Sequence, residues 1–207
     1  MNQKRNIAVF DFDGTLTRRD SLFAFLLFTH GRVRTYLGLL LLSPAIMLMF
    51  LGIIDNNKCK EILFTYFFKG LKYSEFQRLG KEFAESVTSP NGKEHEGFFN
   101  PDTCAILRQH LADGHKVYII SASVDEWIRP IAQSLGVTDA LCTHLAIDAD
   151  GRLTGRYDGK NCHGQEKANR LLAVEPHRDT YYLYAYGDSN GDKQLFALAD
   201  EYKKIKH

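Results

Sequence analysis

An α/β fold, with a doubly wound and mostly parallel sheet and an inserted all-helical segment, is what this 207-residue chain predicts. Three observations carry the prediction. Short β-rich runs at 7–10 and 116–120 lead directly into Asp11 and Ser121, and one at 181–186 leads through Gly187 into Asp188. Strands of a parallel sheet are buried on both faces, so they read as continuous apolar runs, and ligands gather beyond their carboxyl ends. Between the first two runs, residues 18–88 show helical spacing and no strand.

The run Ile7-Ala8-Val9-Phe10 ends on two carboxylates, Asp11 and Asp13, within NIAVFDFDGTLT. Extended geometry turns both to the same face. Gly14 lets the backbone bend close to an anion, and Thr15 offers a hydroxyl nearby. Asp20 or Ser21 can then cap a helix running through Leu22, Phe25 and Leu26 to Gly31. Residues 36–54, nineteen without a charge, read as two short helices meeting at Ser43-Pro44. Asp55-Asn56-Asn57 can cap a further helix in which Ile62, Leu63, Tyr66 and Phe67 repeat at helical spacing up to Gly70. Ser74 with Gln77 makes a capping box ahead of Phe76, Leu79, Phe83 and Val87.

Sheet-forming sequence resumes near residue 89. Asn100 caps a helix with Pro101 at its first position, and Cys104, Leu107 and Leu111 face inward until Asp113-Gly114. The strand at 116–120 terminates in Ser121-Ala122-Ser123. Residues 140–147 read as one further strand, which turns at Asp150-Gly151 into a hairpin arm over 152–157. After Gly164 a helix opens with Lys167 in its first turn and Ala168, Leu171 and Leu172 inward. The last β-rich run ends in GDSNGD, placing Asp188 at the strand end and Asp192 where a helix begins.

At 44 % hydrophobic and 25 % charged, the chain can fill a core and is not disordered. A formal net charge of +1 gives no global field, and no nucleic-acid partner is expected. The four cysteines, Cys59, Cys104, Cys142 and Cys162, lack ligand-like spacing and suit reduced thiols in a cytoplasmic protein. Lys4 and Arg5 precede only four apolar residues, too few for a signal-peptide core.

DxDGTLT after an apolar strand, a post-strand serine, a lysine in a helix's first turn and GDSNGD, in that order, resemble the haloacid dehalogenase (HAD) superfamily of aspartate-nucleophile phosphatases, in its phosphoserine-phosphatase-like subfamily IB. The resemblance implies a Rossmann-like phosphatase core from 1–17 and 89–207, with 18–88 as a helical cap. It implies Asp11 as nucleophile and Asp13 as general acid/base. Gly14, Thr15, Ser121, Ala122 and Lys167 are implied to bind the phosphoryl group, with Lys160 and His163 as rivals for the lysine's role. Mg²⁺ would be held by Asp11, the main-chain carbonyl of Asp13 and Asp188, with Asp192 in support. The reaction implied is phosphomonoester hydrolysis through an aspartyl-phosphate.

Residues 144–167 and the apolar cap resemble the branch that includes bacterial phosphatidylglycerophosphatase, which implies an amphiphilic or lipid phosphate such as phosphatidylglycerophosphate. The alternative is a soluble small-metabolite phosphatase such as phosphoserine phosphatase. Asp20 could then read an ammonium group, although Arg78 is the sole arginine in 37–80. As one helix the uncharged run would reach about 28 Å, close to a hydrocarbon core. A complete span would put Asp11 and the carboxyl-terminal motifs on opposite sides of a membrane. The run is therefore expected to form a hairpin broken at Pro44, either buried in the cap or resting on the inner face of a membrane, where Arg32 and Arg34 suit anionic headgroups.

Overall fold

The computed structural model describes residues 5–92 and 95–206, so Lys4 lies outside the described residues. Strands β1 (Arg5–Phe10), β2 (Lys116–Val124), β3 (Asp139–Thr143), β6 (Tyr181–Gly187) and β7 (Glu201–Lys204) form one sheet in the order β3-β2-β1-β6-β7, parallel throughout. The remaining strands, β4 (Leu145–Ile147) and β5 (Leu153–Tyr157), make a separate antiparallel pair. Because side chains alternate along a strand, Ala8 and Phe10 enter one core while Ile7 and Val9 enter another on the opposite face. With β2 on one side and β6 on the other, β1 sits where the winding reverses, and the three carboxyl ends open a crevice there.

Four helices lie between β1 and β2 in sequence before α5 (Pro101–Ala112): α1 (Ser21–Leu41), α2 (Ser43–Phe50), α3 (Asn56–Phe68) and α4 (Tyr73–Thr88). Phe25 of α1 stacks on Trp127 of α6 (Asp125–Ser134), with ring centroids 4.5 Å apart, and Phe76 and Phe83 of α4 crowd the same ring. These aromatic contacts merge the helical segment's interior with one face of the sheet. On the other face pack α7 (Gln165–Val174) and α8 (Lys193–Leu198), through Leu171 and Leu195. All four cysteines are free and buried.

Several expectations need correction. The run 140–147 is two strands in two sheets: β3 pairs with β2, whereas β4 leaves the main sheet after His144, whose carbonyl accepts from Asp158 N. The Ser74–Gln77 capping box does not form. Lys72 is the residue before the helix and gives no side-chain cap; Tyr73 N instead donates to Gly151 O, so the β-hairpin turn fixes where α4 starts. On α3 the buried residues are Cys59, Phe64, Phe67 and Phe68, with Phe64 against Trp127 and Tyr157; of the residues at helical spacing, Leu63 is half-buried against the core and Tyr66 is exposed. Leu111 and Leu172 are only half-buried. Strand β7 was not anticipated.

The uncharged run also departs from a hairpin. Gly31, at φ 70°, breaks α1 as its position suggested. Ser43-Pro44 opens α2 rather than interrupting a helix, since a first-turn proline lacks only an N–H that has no helical partner. The axes of α1 and α2 differ by 60°, a bend and not a reversal. No residue of α2 is buried, and Leu40, Leu41 and Phe50 are 70, 67 and 80 % exposed. No single helix among the described residues is long and apolar enough to cross a membrane.

Candidate active site

The crevice collects the motif residues. β1 delivers Asp11, whose main-chain N donates to Tyr186 O at 2.8 Å and whose carboxylate accepts from Phe12 N at 2.7 Å. The chain then turns through Phe12–Leu16, and only Gly14 in it needs positive φ, at 75°. Thr15 is fully buried, and its hydroxyl has no hydrogen-bond partner among the described residues.

Lys167, from the first turn of α7, is buried between two carboxylates. Its Nζ lies 2.7 Å from Asp11 Oδ1 and 2.6 Å from Asp192 Oδ1. Asp192 is itself fully buried and accepts from Ser189 N and Ser189 Oγ at 3.1 and 3.2 Å. Gly187 makes room for it, since a Cβ there would fall 2.5 Å from Asp192 Cγ. Asp188, at the end of β6, completes a cluster in which Asp11, Asp188 and Asp192 each offer a carboxylate oxygen within 4.8 Å of the others. Three carboxylates against one ammonium leave surplus negative charge, and the donors are all oxygens. That set fits a hard divalent cation such as Mg²⁺.

Asp13 turns elsewhere. Its two oxygens accept from Ser21 N and Ser123 Oγ, both at 2.6 Å. Behind them runs a directed chain in which Trp127 Nε1 donates to Ser21 Oγ at 3.1 Å and Ser21 Oγ lies 3.0 Å from Ser123 Oγ. The Asp13 carboxylate is thus outside the three-acid cluster, leaving its main-chain carbonyl for the metal role expected of it. Ser121, also buried, accepts from Ser123 N at 3.0 Å, which leaves its own O–H to donate. Ala122 follows it at the end of β2, with its carbonyl accepting from Thr143 Oγ1 at 3.2 Å.

Of the two rivals to Lys167, Lys160 is exposed and its carbonyl accepts from Arg170 at 2.7 Å. His163 stands closer: a side chain at Gly191 would meet its Nε2 at 2.5 Å. Neither touches Asp11 as Lys167 does. Burial pushes the Asp11 carboxyl up to about 7 against the pull of Lys167, with Asp192 and Asp13 adding to the rise. Asp13 is raised by burial first and by the charge of Asp20 second. For Lys167 burial works downward, but the charges of Asp11 and Asp192 outweigh it and hold the ammonium charged. His163 is lowered by burial and by Lys167.

Sequence reasoning missed Ser123, Ser21 and Trp127 as the holders of Asp13. The second serine of Ser121-Ala122-Ser123 was a visible signal, and Ser21 lies only eight residues beyond Asp13; Trp127 carries none, because its link to Ser21 spans the helical segment.

Comparison with known proteins follows the same lines. A protein named CicA from Caulobacter vibrioides is 36 % identical over 203 residues, covering 97 % of this chain and 86 % of that one. A phosphoserine phosphatase, SerB1, from Mycobacterium tuberculosis is 33 % identical over 134 residues, 64 % of this chain and 41 % of the longer relative. Among solved structures, a phospho-aspartyl intermediate analogue of phosphoserine phosphatase superposes with a TM-score of 0.61 at 17 % identity, over 97 % of this chain and 86 % of that one, which shows a shared fold. The model of the haloacid dehalogenase-like hydrolases matches residues 8–197, from inside β1 to inside α8 and across every motif described above. The chain belongs to the haloacid dehalogenase-like hydrolase family.

Proposed function

We propose that the chain is a Mg²⁺-dependent phosphomonoester hydrolase that works through an aspartyl-phosphate on Asp11. The observation that carries this reading is the buried Asp11 carboxylate, held at 2.7 Å by Lys167 beside Asp188 and Asp192. Asp11 attacks phosphorus and the alcohol departs. Lys167, the Ser121 hydroxyl and the amides of the Phe12–Leu16 turn share the charge that gathers on the phosphoryl oxygens. Mg²⁺, held by Asp11, Asp188, the Asp13 carbonyl and in support Asp192, would supply a compact cation that lets two anions approach. Asp13, whose burial favours its protonated form, gives a proton to the leaving oxygen and then takes one from the water that frees Asp11. Ser123 and Ser21 orient it for both steps.

The finer reading is an amphiphilic or lipid phosphate as substrate, taken at the inner face of a membrane. The exposed apolar side chains of 36–54, with Arg32 and Arg34 beside them, favour it over a freely diffusing metabolite. Phosphoserine is the competing substrate, supported by the partial similarity to SerB1. A panel containing p-nitrophenyl phosphate, phosphoserine and a lipid phosphate in detergent tests both levels. Hydrolysis should require Mg²⁺ and fall by at least about 1,000-fold in Asp11→Asn. Activity surviving both EDTA and that substitution would remove the aspartyl-phosphate mechanism; phosphoserine preferred over the lipid phosphate would remove the finer reading alone.

A further inference from the structure

We propose that Trp127 is a positioning residue for the acid step: its indole N–H fixes the direction of the hydrogen bonds behind Asp13 and so keeps the carboxyl proton on the side of the leaving group. The proposal rests on the phosphatase reading above and adds what aims the proton.

Trp127 is fully buried, and packing sets its ring. It stacks on Phe25 with centroids 4.5 Å apart, and Phe64 and Phe76 flank it at 6.5 and 6.3 Å. The ring so held turns Nε1 to Ser21 Oγ, 3.1 Å away. An indole N–H donates and never accepts. Ser21 is also fully buried, and among the described residues its hydroxyl has one other partner, Ser123 Oγ at 3.0 Å. The Ser21 hydrogen cannot turn to Trp127, so it goes to Ser123. Ser123 Oγ accepts it and gives its own hydrogen to Asp13 Oδ2 at 2.6 Å. The other oxygen, Oδ1, accepts from Ser21 N, and a main-chain N–H cannot reverse either.

Both carboxyl oxygens therefore accept on the protein side. A proton carried by Asp13 has to occupy a lone pair left over, and these face the crevice, where Asp13 keeps its exposed part. From there it passes to the leaving oxygen as the P–O bond breaks and the bond from phosphorus to Asp11 forms. A reversed chain, with Asp13 donating to Ser123 and Ser123 to Ser21, would hold that proton in the wall of the site. It would also leave the Ser21 hydrogen facing the Trp127 N–H with no acceptor. Donors in series polarise one another, which strengthens the last bond, the one that reaches Asp13.

Trp127 is the chain's single tryptophan, so expression on a tryptophan analogue alters this position alone. Benzothienylalanine keeps the ring's shape and puts sulfur, at most a weak acceptor, in place of the N–H; fluorotryptophan keeps the N–H. The measured quantity is the ratio of kcat/KM for p-nitrophenyl phosphate to that for phenyl phosphate. The two are similar in shape, but phenyl phosphate depends far more on a proton at its departing oxygen. Benzothienylalanine should raise the ratio about tenfold, the yield of one hydrogen bond, and fluorotryptophan should keep it. Ser21→Ala should raise it as well, and in that background benzothienylalanine should add nothing, because the N–H acts through that hydroxyl. Melting temperatures report folding, and Trp127→Phe replaces the analogue if that protein does not fold. A ratio unmoved by benzothienylalanine, an equal loss on both substrates, or a further rise in the Ser21→Ala background overturns the proposal and leaves the phosphatase reading standing. A wild type that hydrolyses neither substrate overturns both.

Discussion

The crevice at the carboxyl ends of β1, β2 and β6 and the tip formed by α1 and α2 are opposites in how they treat their side chains. In the crevice nearly every charged group is buried and matched: Lys167 to two carboxylates, Asp13 to two donors, Asp192 to Ser189. At the tip, Leu40, Leu41, Phe50 and Ile53 are apolar and face outward with nothing over them among the described residues. Burial of charge is tolerated where partners are preorganised, because the desolvation cost is then offset by short, directed contacts. Exposure of hydrocarbon has no such local remedy; only another surface can relieve it. The contrast predicts that substitutions in the crevice act on activity and stability together, and those at the tip on neither unless lipid is present.

The largest effect after that of Asp11→Asn should come from Asp13→Asn. Alkyl phosphates need a proton on the leaving oxygen, whereas p-nitrophenolate leaves without one. The loss should reach about 100- to 1,000-fold on an alkyl phosphate and be far smaller on p-nitrophenyl phosphate. Equal losses on both would mean that Asp13 is not the acid of the first step.

Next is Lys167→Met, which strands Asp11 and Asp192 as unpaired buried charges. A buried pair broken from one side typically costs about 3–5 kcal/mol. Urea denaturation should register a loss of that order, with Mg²⁺ restoring part of it by taking over the lost positive charge. A variant as stable as the wild type without Mg²⁺ would break the claim that matching, and not burial alone, holds the crevice together.

Glu126 sharpens the comparison as a buried charge only partly matched. Its Oε2 has no hydrogen-bond partner, and burial pushes its carboxyl from 4.5 up to about 7. The unfolded chain releases this proton near 4.5 and the folded one near 7, so stability should decline as pH rises between those values and level off above. Glu126→Gln should flatten that slope and add about 1–2 kcal/mol at pH 8. Unfolding free energies at pH 5 and 8 decide it; a slope unchanged by the substitution would assign it to other groups.

The smallest effect on stability should be at the tip. Leu40→Asp and Phe50→Asp should each change it by less than about 0.5 kcal/mol, as exposed sites do. Both should nevertheless weaken co-sedimentation with anionic liposomes, and the wild-type binding should persist in high salt because apolar area drives it. Leu42 is unsuitable for this purpose, since it packs on the core. If the two variants unfold without lipid, or sediment as the wild type does, the tip is not a lipid contact.

By itself the sequence determined the parallel sheet's three central strands and the positions of Asp11, Asp13, Ser121, Lys167, Asp188 and Asp192. These follow from local rules: a buried strand is a short apolar run, and the residue just beyond its carboxyl end stands at the crevice whatever the rest of the chain does. Caps such as Asp20, Asp55 and Asn100 were legible for the same reason, since each bonds an amide two or three residues away. Tertiary structure alone decided the rest. Asp13 finds Ser123 across 110 residues, β4 leaves β3 for a different sheet, and Tyr73 starts α4 by bonding to Gly151. The outward face of 36–54 belongs with these. A run of leucines has the same pattern buried or exposed, and only the packing of its neighbours settles which face is left without a partner.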